Sequence, residues 1–263
     1  MSPSDSAWDG PSGSPSDEST EYGDAADYSE AADYSEAAGH GEVPRLVRRF
    51  GRASRAAHWS TAVLTGICLA TAAVLYLGPL ATLVGRRQIV SAVHLYAGLA
   101  LPLPILAAAV SAAYRRDVAA LDRFTAGDWA WLRTRPRRRD RSTVGKFNAG
   151  QKLYAAFVAG AVLVMLGTGL IMEYGGPGAI PVSYRTGATF VHDSLALGLF
   201  VGVCGHLWMA SRDPVALVGM RTGMVPLPWA LREHPAWLTG PDGGPDGGPG
   251  SGAGRGADGG SQA

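Results

Sequence analysis

Four of the six histidines lie inside apolar stretches long enough to cross a membrane: His58, His94, His192 and His206. An ionisable side chain at membrane depth is costly, and as a rule it is there for function. The last two share one stretch and are fourteen residues apart. Fourteen residues of α-helix advance about 21 Å and return to within about 40° of the same face. One helix therefore offers two imidazoles to one side, each near one edge of a hydrocarbon core about 30 Å thick. Depth also selects their partners. His58 opens the first stretch and His206 comes late in the fourth, whereas His94 and His192 come early in the second and fourth. In an up-and-down bundle only His58 with His206, and His94 with His192, match in depth. Two imidazoles on one iron fill both axial positions of a haem, and such an iron transfers electrons without binding oxygen. Two haems b stacked across the membrane account for all four residues, and neutral ligands avoid burying a charge.

Other uses of histidine stay open at this point. Intramembrane imidazoles also pack through hydrogen bonds or relay protons. A zinc or copper site would want its ligands close together, which the 21 Å rise of fourteen helical residues opposes. Covalent haem attachment is excluded, because the chain has no C-x-x-C-H. Its two cysteines, Cys68 and Cys204, cannot hold an iron–sulfur cluster. They also differ in expected depth by about 12 Å, too far for a disulfide.

These histidines require an all-α, four-helix transmembrane bundle, with spans at roughly 57–77, 88–113, 152–174 and 188–210. The bundle belongs to a domain over residues 45–235, flanked by tails of different composition. Residues 1–44 hold eleven Asp or Glu and no Lys or Arg, with AADYSE repeated in tandem at 25–36. Residues 236–263 are rich in Gly and Pro, as in PDGGPDGGPGSG. Neither can bury enough apolar surface to offset the entropy of ordering, so both tails are expected to be disordered. The net charge of +1 thus conceals an acidic arm and a basic core, and gives no ground for a nucleic-acid partner.

Basic residues set the orientation. Five arginines, Arg45 to Arg55, precede the first span, and nine lie between Arg115 and Arg141, followed by Lys146 and Lys152. The two remaining connections carry only Arg86, Arg87 and Arg185. Both termini and the middle loop are therefore cytoplasmic in a bacterial cytoplasmic membrane. Trp129 and Trp131 in that loop suit a helix lying at the lipid headgroups. Gly198 and Gly202 precede His206 at four-residue steps, while Gly98 and Gly66 lie one and two turns from His94 and His58. Such smooth stripes make room for a flat porphyrin, and they serve plain helix packing equally well. Arg55 and Arg185 stand where haem propionates could pair with them.

With those residues in place, the chain resembles the membrane cytochrome b (gamma) subunit of respiratory formate dehydrogenases over about residues 45–235. The matching pieces are RFGRASRAAHWSTAVLTG around His58, HLYAG at His94, KFNAGQKL at 146–153, and HDSLALGLFVGVCGHLWMA with His192 and His206. The resemblance implies the same histidine pairs. It also implies a menaquinone site beside the inner haem, carried over to Asn148, Gly150, Gln151 and His206. Amides there can hydrogen-bond a quinone carbonyl, and a glycine permits close approach. Asn148 as a plain helix N-cap is the alternative. The implied partners are an iron–sulfur (beta) subunit and a molybdopterin catalytic (alpha) subunit that oxidises formate. The chain itself would be the electron-transferring, quinone-reducing subunit of that oxidoreductase. A diheme cytochrome b serving a hydrogenase or another molybdoenzyme, or acting as a stand-alone quinone oxidoreductase, shares much of the pattern. A haem-free transporter or scaffold is the rival from another class.

Overall fold

The computed structural model describes residues 45–134, 141–176, 178 and 180–239. The acidic arm, the arginine run at 135–140 and the Gly/Pro-rich tail from residue 240 lie outside the described residues.

The described chain opens with a short strand, β1 (Leu46–Arg48), and the long helix α1 (Arg52–Tyr76). A seven-residue helix, α2 (Gly78–Val84), leads into α3 (Arg87–Ala100), which α4 (Pro102–Ala108) continues. Two shorter helices follow, α5 (Ala112–Asp122) and α6 (Ala126–Arg133). Next come the long helices α7 (Ala149–Tyr174) and α8 (Val182–Ser211). The remainder is α9 (Pro214–Thr222), β2 (Met224–Pro226), α10 (Leu227–Glu233) and α11 (Pro235–Thr239).

Four of these stretches are long and apolar enough to cross a membrane: Arg52–Tyr76, Arg87–Ala108, Ala149–Tyr174 and Val182–Ser211. They are the four expected spans, with the first and fourth beginning earlier than expected, at Arg52 and Val182, and the second ending earlier. The second ends at Ala108, not near 113, because Ser111 takes an extended conformation and caps α5, its hydroxyl accepting from the Tyr114 amide. Pro102 and Pro104 interrupt this span without ending it. Leu101 stays helical, and its amide bonds the Gly98 carbonyl at 3.2 Å, one residue short of the α-helical partner. The long helices pack as two hairpins, α1 on α3 and α4, and α7 on α8, with α3 also touching α7. Their outer faces present Leu163, Phe190, Leu197 and Leu207 unburied. Hydrocarbon covers such faces at no cost, since every backbone group is already paired within its helix.

A polar layer closes one end of the bundle, where α1 and α7 begin and α4 and α8 end. Strands β1 and β2 pair antiparallel, with Val47 opposite Val225. Val225, Trp229, Ala230 and Trp237 form a small core behind them. The expected boundary at 235/236 falls inside this cluster, because Trp237 is buried within it. Gly223 makes the approach possible. It ends α9 with φ 87, and its carbonyl accepts from the amides of Arg49 and Phe50. A Cβ at this position would lie 2.6 Å from the Phe50 carbonyl oxygen.

Buried charges lock the layer. Arg49, 2% exposed, donates to the Lys146 carbonyl and to the His234 ring, and its guanidinium lies 4.8 Å from the Trp229 ring centroid. Burial pulls its pKa down to about 10 against the opposing pull of Asp213, Asp117 and Glu233. His234 Nδ1 meets the Gly145 carbonyl at 2.7 Å, and its Nε2 faces Arg49 at 2.9 Å. A carbonyl only accepts and a guanidinium only donates, so the ring is the neutral Nδ1–H form. Burial, then the Arg49 charge, hold its pKa down at about 3. Asp117 receives both the Ser54 hydroxyl at 2.7 Å and the Lys146 ammonium at 2.5 Å, which ties α1, α5 and the start of α7 together.

Candidate functional site

The two expected histidine pairs come together at opposite ends of α8. His58, in the second turn of α1, and His206, near the end of α8, have ring centroids 6.1 Å apart. His94 of α3 and His192 of α8 stand 6.2 Å apart. An imidazole nitrogen sits about 2 Å from a metal ion it ligates, so two rings sharing one ion have facing nitrogens about 4 Å apart. Centroid separations just above 6 Å leave that room plus one ring radius on each side. Both pairs therefore have the spacing for one iron each. Among the described residues no three His, Cys, Asp or Glu side chains converge as a zinc or copper site would need.

The surroundings of the two pairs differ. His94 Nδ1 lies 2.9 Å from the Thr71 hydroxyl on α1, and His192 Nδ1 lies 3.0 Å from the Thr168 hydroxyl on α7. The His192 ring also sits against the helix backbone, since a Cβ on Gly169 would come 3.5 Å from its Cε1. At the other end His206 stacks on Tyr154, with centroids 5.3 Å apart and planes 7° from parallel. His58 meets the edge of Trp59. Among the described residues neither of these two rings has a hydrogen-bond partner. Two threonines and a tyrosine were therefore missed in the sequence. The signal was present, because each threonine precedes its histidine by nearly the same interval, 23 and 24 residues.

The proposed room for porphyrin divides the same way. Around Gly66 and Gly98 an added Cβ would meet nothing within 4 Å. Gly198 and Gly202 are instead filled by aromatic rings from α7: Phe157 lies 3.6 Å from a Cβ on Gly198, and Tyr154 lies 3.3 Å from one on Gly202. Helix packing takes that half of the stripe. Arg55 and Arg185 each keep a buried Nε with no partner. Arg55 uses its Nη1 to hold the Arg221 carbonyl, fixing α1 to α9. An unpaired buried guanidinium nitrogen is a poor state for a protein and a good receiver for a carboxylate.

Asn148 and Gln151 form a reciprocal cap at the start of α7. The Gln151 amide donates to Asn148 Oδ1 at 2.9 Å, and the Asn148 amide donates to Gln151 Oε1 at 3.0 Å. Both side-chain oxygens are consumed, which directs the two NH2 groups, both donors, away from the cap. Gly150 lies under the Trp131 indole, 3.5 Å from where its Cβ would stand. The space left by its missing side chain is thus shared with Trp131. α6, which carries Trp131, is held there by an ion pair between Asp128 and Lys152 at 2.7 Å. Burial raises the Asp128 pKa, but Lys152 and the Thr125 cap outweigh it and the net shift is downward.

The prokaryotic cytochrome b561 family matches residues 49–223, from Arg49 through the Gly223 turn. The chain belongs to that family. It is a membrane cytochrome b, and haem b is the cofactor the family implies. Its similarity to a cytochrome b556 subunit of formate dehydrogenase from Haemophilus influenzae is 33% identity over 96 residues, covering 35% of this chain and 40% of that one. The nitrate-inducible formate dehydrogenase cytochrome b556 subunit of Escherichia coli K12 is 29% identical over 100 residues, covering 36% of this chain and 44% of that one. The chain thus matches less than half the length of these relatives. The family match includes His58, His94, His192 and His206, the four histidines that stand in two pairs at iron-bridging distance.

Proposed function

We propose that this cytochrome b561 is the membrane subunit of a respiratory formate dehydrogenase, carrying electrons from a partner iron–sulfur subunit by way of two bis-histidine haems b to menaquinone. A molybdopterin catalytic subunit would supply the iron–sulfur partner, since formate oxidation needs centres this chain does not encode. The observation that carries the reading is the pairing of all four intramembrane histidines at opposite ends of one helix. Haem b would supply one-electron chemistry, and an iron held by two histidines would have no open position for oxygen. His94 and His192 would hold the outer group, and His58 and His206 the inner one. Arg55 and Arg185, each with an unpaired buried Nε, would receive propionates at the two ends.

The quinone would bind beside His206, against the start of α7. Asn148 and Gln151 each have their oxygen engaged by the other's backbone amide, and their NH2 groups are left to act as hydrogen-bond donors. A quinone carbonyl is an acceptor and fits that offer. Gly150 and Trp131 would form the wall on that side. The distribution of Lys and Arg supports an orientation with both termini and this site facing the cytoplasm. Electrons entering from outside and protons taken from the cytoplasm would then move charge against the membrane potential, at about 2.3 kcal/mol per charge per 100 mV.

Replacing Asn148 or Gln151 by Leu should slow reoxidation of the dithionite-reduced protein by a menaquinone analogue at least tenfold, with haem content unchanged. Normal reoxidation in both variants would remove the quinone assignment. The second reading has an observation behind it: the family match spans residues 49–223, whereas the formate dehydrogenase match covers about a third of the chain. A diheme cytochrome b serving another donor fits that disparity. Affinity purification from the native membrane separates the two. Recovery with an iron–sulfur and a molybdenum or tungsten subunit supports the first reading, and recovery alone or with a hydrogenase supports the second.

A further inference from the structure

The two threonines beside the outer histidines make the same contact in two different helix hairpins. Each lies on the long helix that packs against the one carrying its histidine, Thr71 on α1 against His94 on α3, and Thr168 on α7 against His192 on α8. Each hydroxyl also bonds the carbonyl one turn back, Thr71 to Ile67 at 2.7 Å and Thr168 to Val164 at 2.9 Å. A hydroxyl has one hydrogen. If that hydrogen is given to the carbonyl, only the oxygen's lone pairs remain for the imidazole. Nδ1 must then be the donor. The carbonyls three residues before the threonines, those of Cys68 and Met165, lie within reach of the same hydroxyls at 3.1 and 3.2 Å. Each hydroxyl thus has two carbonyls to which its hydrogen can go, and the protonation of Nδ1 follows in both hairpins. With the hydrogen on Nδ1, the lone pair is on Nε2, the nitrogen then free to ligate iron.

We propose that Thr71 and Thr168 are matched positioning residues that hold His94 and His192 as Nε2 ligands, so that the potential of the outer haem is set partly from these two hydroxyls. This rests on the bis-histidine reading above and adds a difference between the two sites. A hydrogen bond from Nδ1 makes the imidazole a more basic ligand, and a basic ligand favours ferric over ferrous iron. The outer haem therefore has two such bonds lowering its potential. The inner haem has none, because among the described residues no group bonds the rings of His58 and His206. Stacking on Tyr154 orients His206 without polarising it in this way.

The test uses the full chain in detergent with both haems loaded, and reads each haem by redox titration and low-temperature electron paramagnetic resonance. Thr71→Val and Thr168→Val should each raise the midpoint potential of the outer haem. The size is about 59 mV for every tenfold loss of ferric preference. Its low-spin signal should shift as the ring is freed to turn, with the inner haem unmoved. Thr71→Ser and Thr168→Ser keep the hydroxyl and should restore both values. Two haems in the wild type with unchanged potentials and spectra in the valine variants would overturn this inference and leave the bis-histidine reading intact. Equal shifts in both haems, or loss of the outer haem in the serine variants as well, would also overturn it, since the effect would then be structural. A wild-type protein with no haem on His94 and His192 would overturn the function reading itself.

Discussion

The outer and inner histidine pairs use the same side chains at the same spacing, 6.2 and 6.1 Å between centroids, in unlike surroundings. The outer rings are fixed by threonine hydroxyls from neighbouring helices, within apolar stretches. The inner rings lean on Trp59 and Tyr154 and border a layer of buried charge, where Arg49, Lys146, Asp117 and His234 interlock. Under the proposed function, what the pairs share would serve one-electron transfer. What differs would suit the two tasks of that proposal, a relay that only passes electrons and a terminus where electrons meet protons and an organic acceptor.

The strongest break of this comparison removes a ligand. His94→Ala or His192→Ala should lose the outer haem and keep the inner one, and His58→Ala or His206→Ala should do the reverse, as read by the haem b spectrum of each variant. Loss of one shared haem in all four would abolish the distinction. The next effect falls on the inner end alone. Asp128→Ala leaves the Lys152 ammonium, whose side chain is 10% exposed, with the Arg123 carbonyl but without its carboxylate, and should cost about 3–5 kcal/mol, read as a lower melting temperature with the outer haem spectrum unchanged.

Acid should also act on the inner end. His234 titrates at about 3 when folded, against 6.5 for an ordinary histidine. Between those values the unfolded chain binds a proton that the folded chain refuses. The stabilisation is therefore complete above about pH 6.5 and is lost as the pH falls towards 3, at about 1.4 kcal/mol per unit. Melting curves across that range should show the loss in the wild type and a flatter profile in His234→Gln. The smallest effect sharpens the comparison. Tyr154→Leu removes the stack on His206, worth about 0.5–1.5 kcal/mol, and should make only the inner haem easier to extract with heat.

The bundle and the pairs were legible in the sequence because helix rise and period act on local spacing. His192 and His206 share a helix, so depth alone assigned partners whose ring centroids the fold brings to about 6 Å. The second span was read too long because Ser111 and its cap interrupt an apolar run without a charge. Gly198 and Gly202 were ambiguous for a physical reason: a smooth stripe admits a cofactor or a neighbour's aromatic ring, and only packing shows that Phe157 and Tyr154 fill it. The polar layer was not legible at all. Its contacts join residues as distant as Arg49 and His234, 185 positions apart, and no periodicity marks such a pair. The sequence offers Asn148 as a helix N-cap, the alternative to quinone binding; the reciprocal bond from Gln151 was not legible, and the cap engages the oxygens while leaving the NH2 donors.

The central claim, two bis-histidine haems in one bundle, is tested most directly by counting. The protein would be purified in detergent after haem-supplemented expression, and haem b per polypeptide measured from its reduced-minus-oxidised spectrum. The account predicts two haems per chain, both reoxidised by a menaquinone analogue. One haem would contradict the pairing, and a colourless protein would contradict the claim altogether and return the four histidines to packing or proton relay.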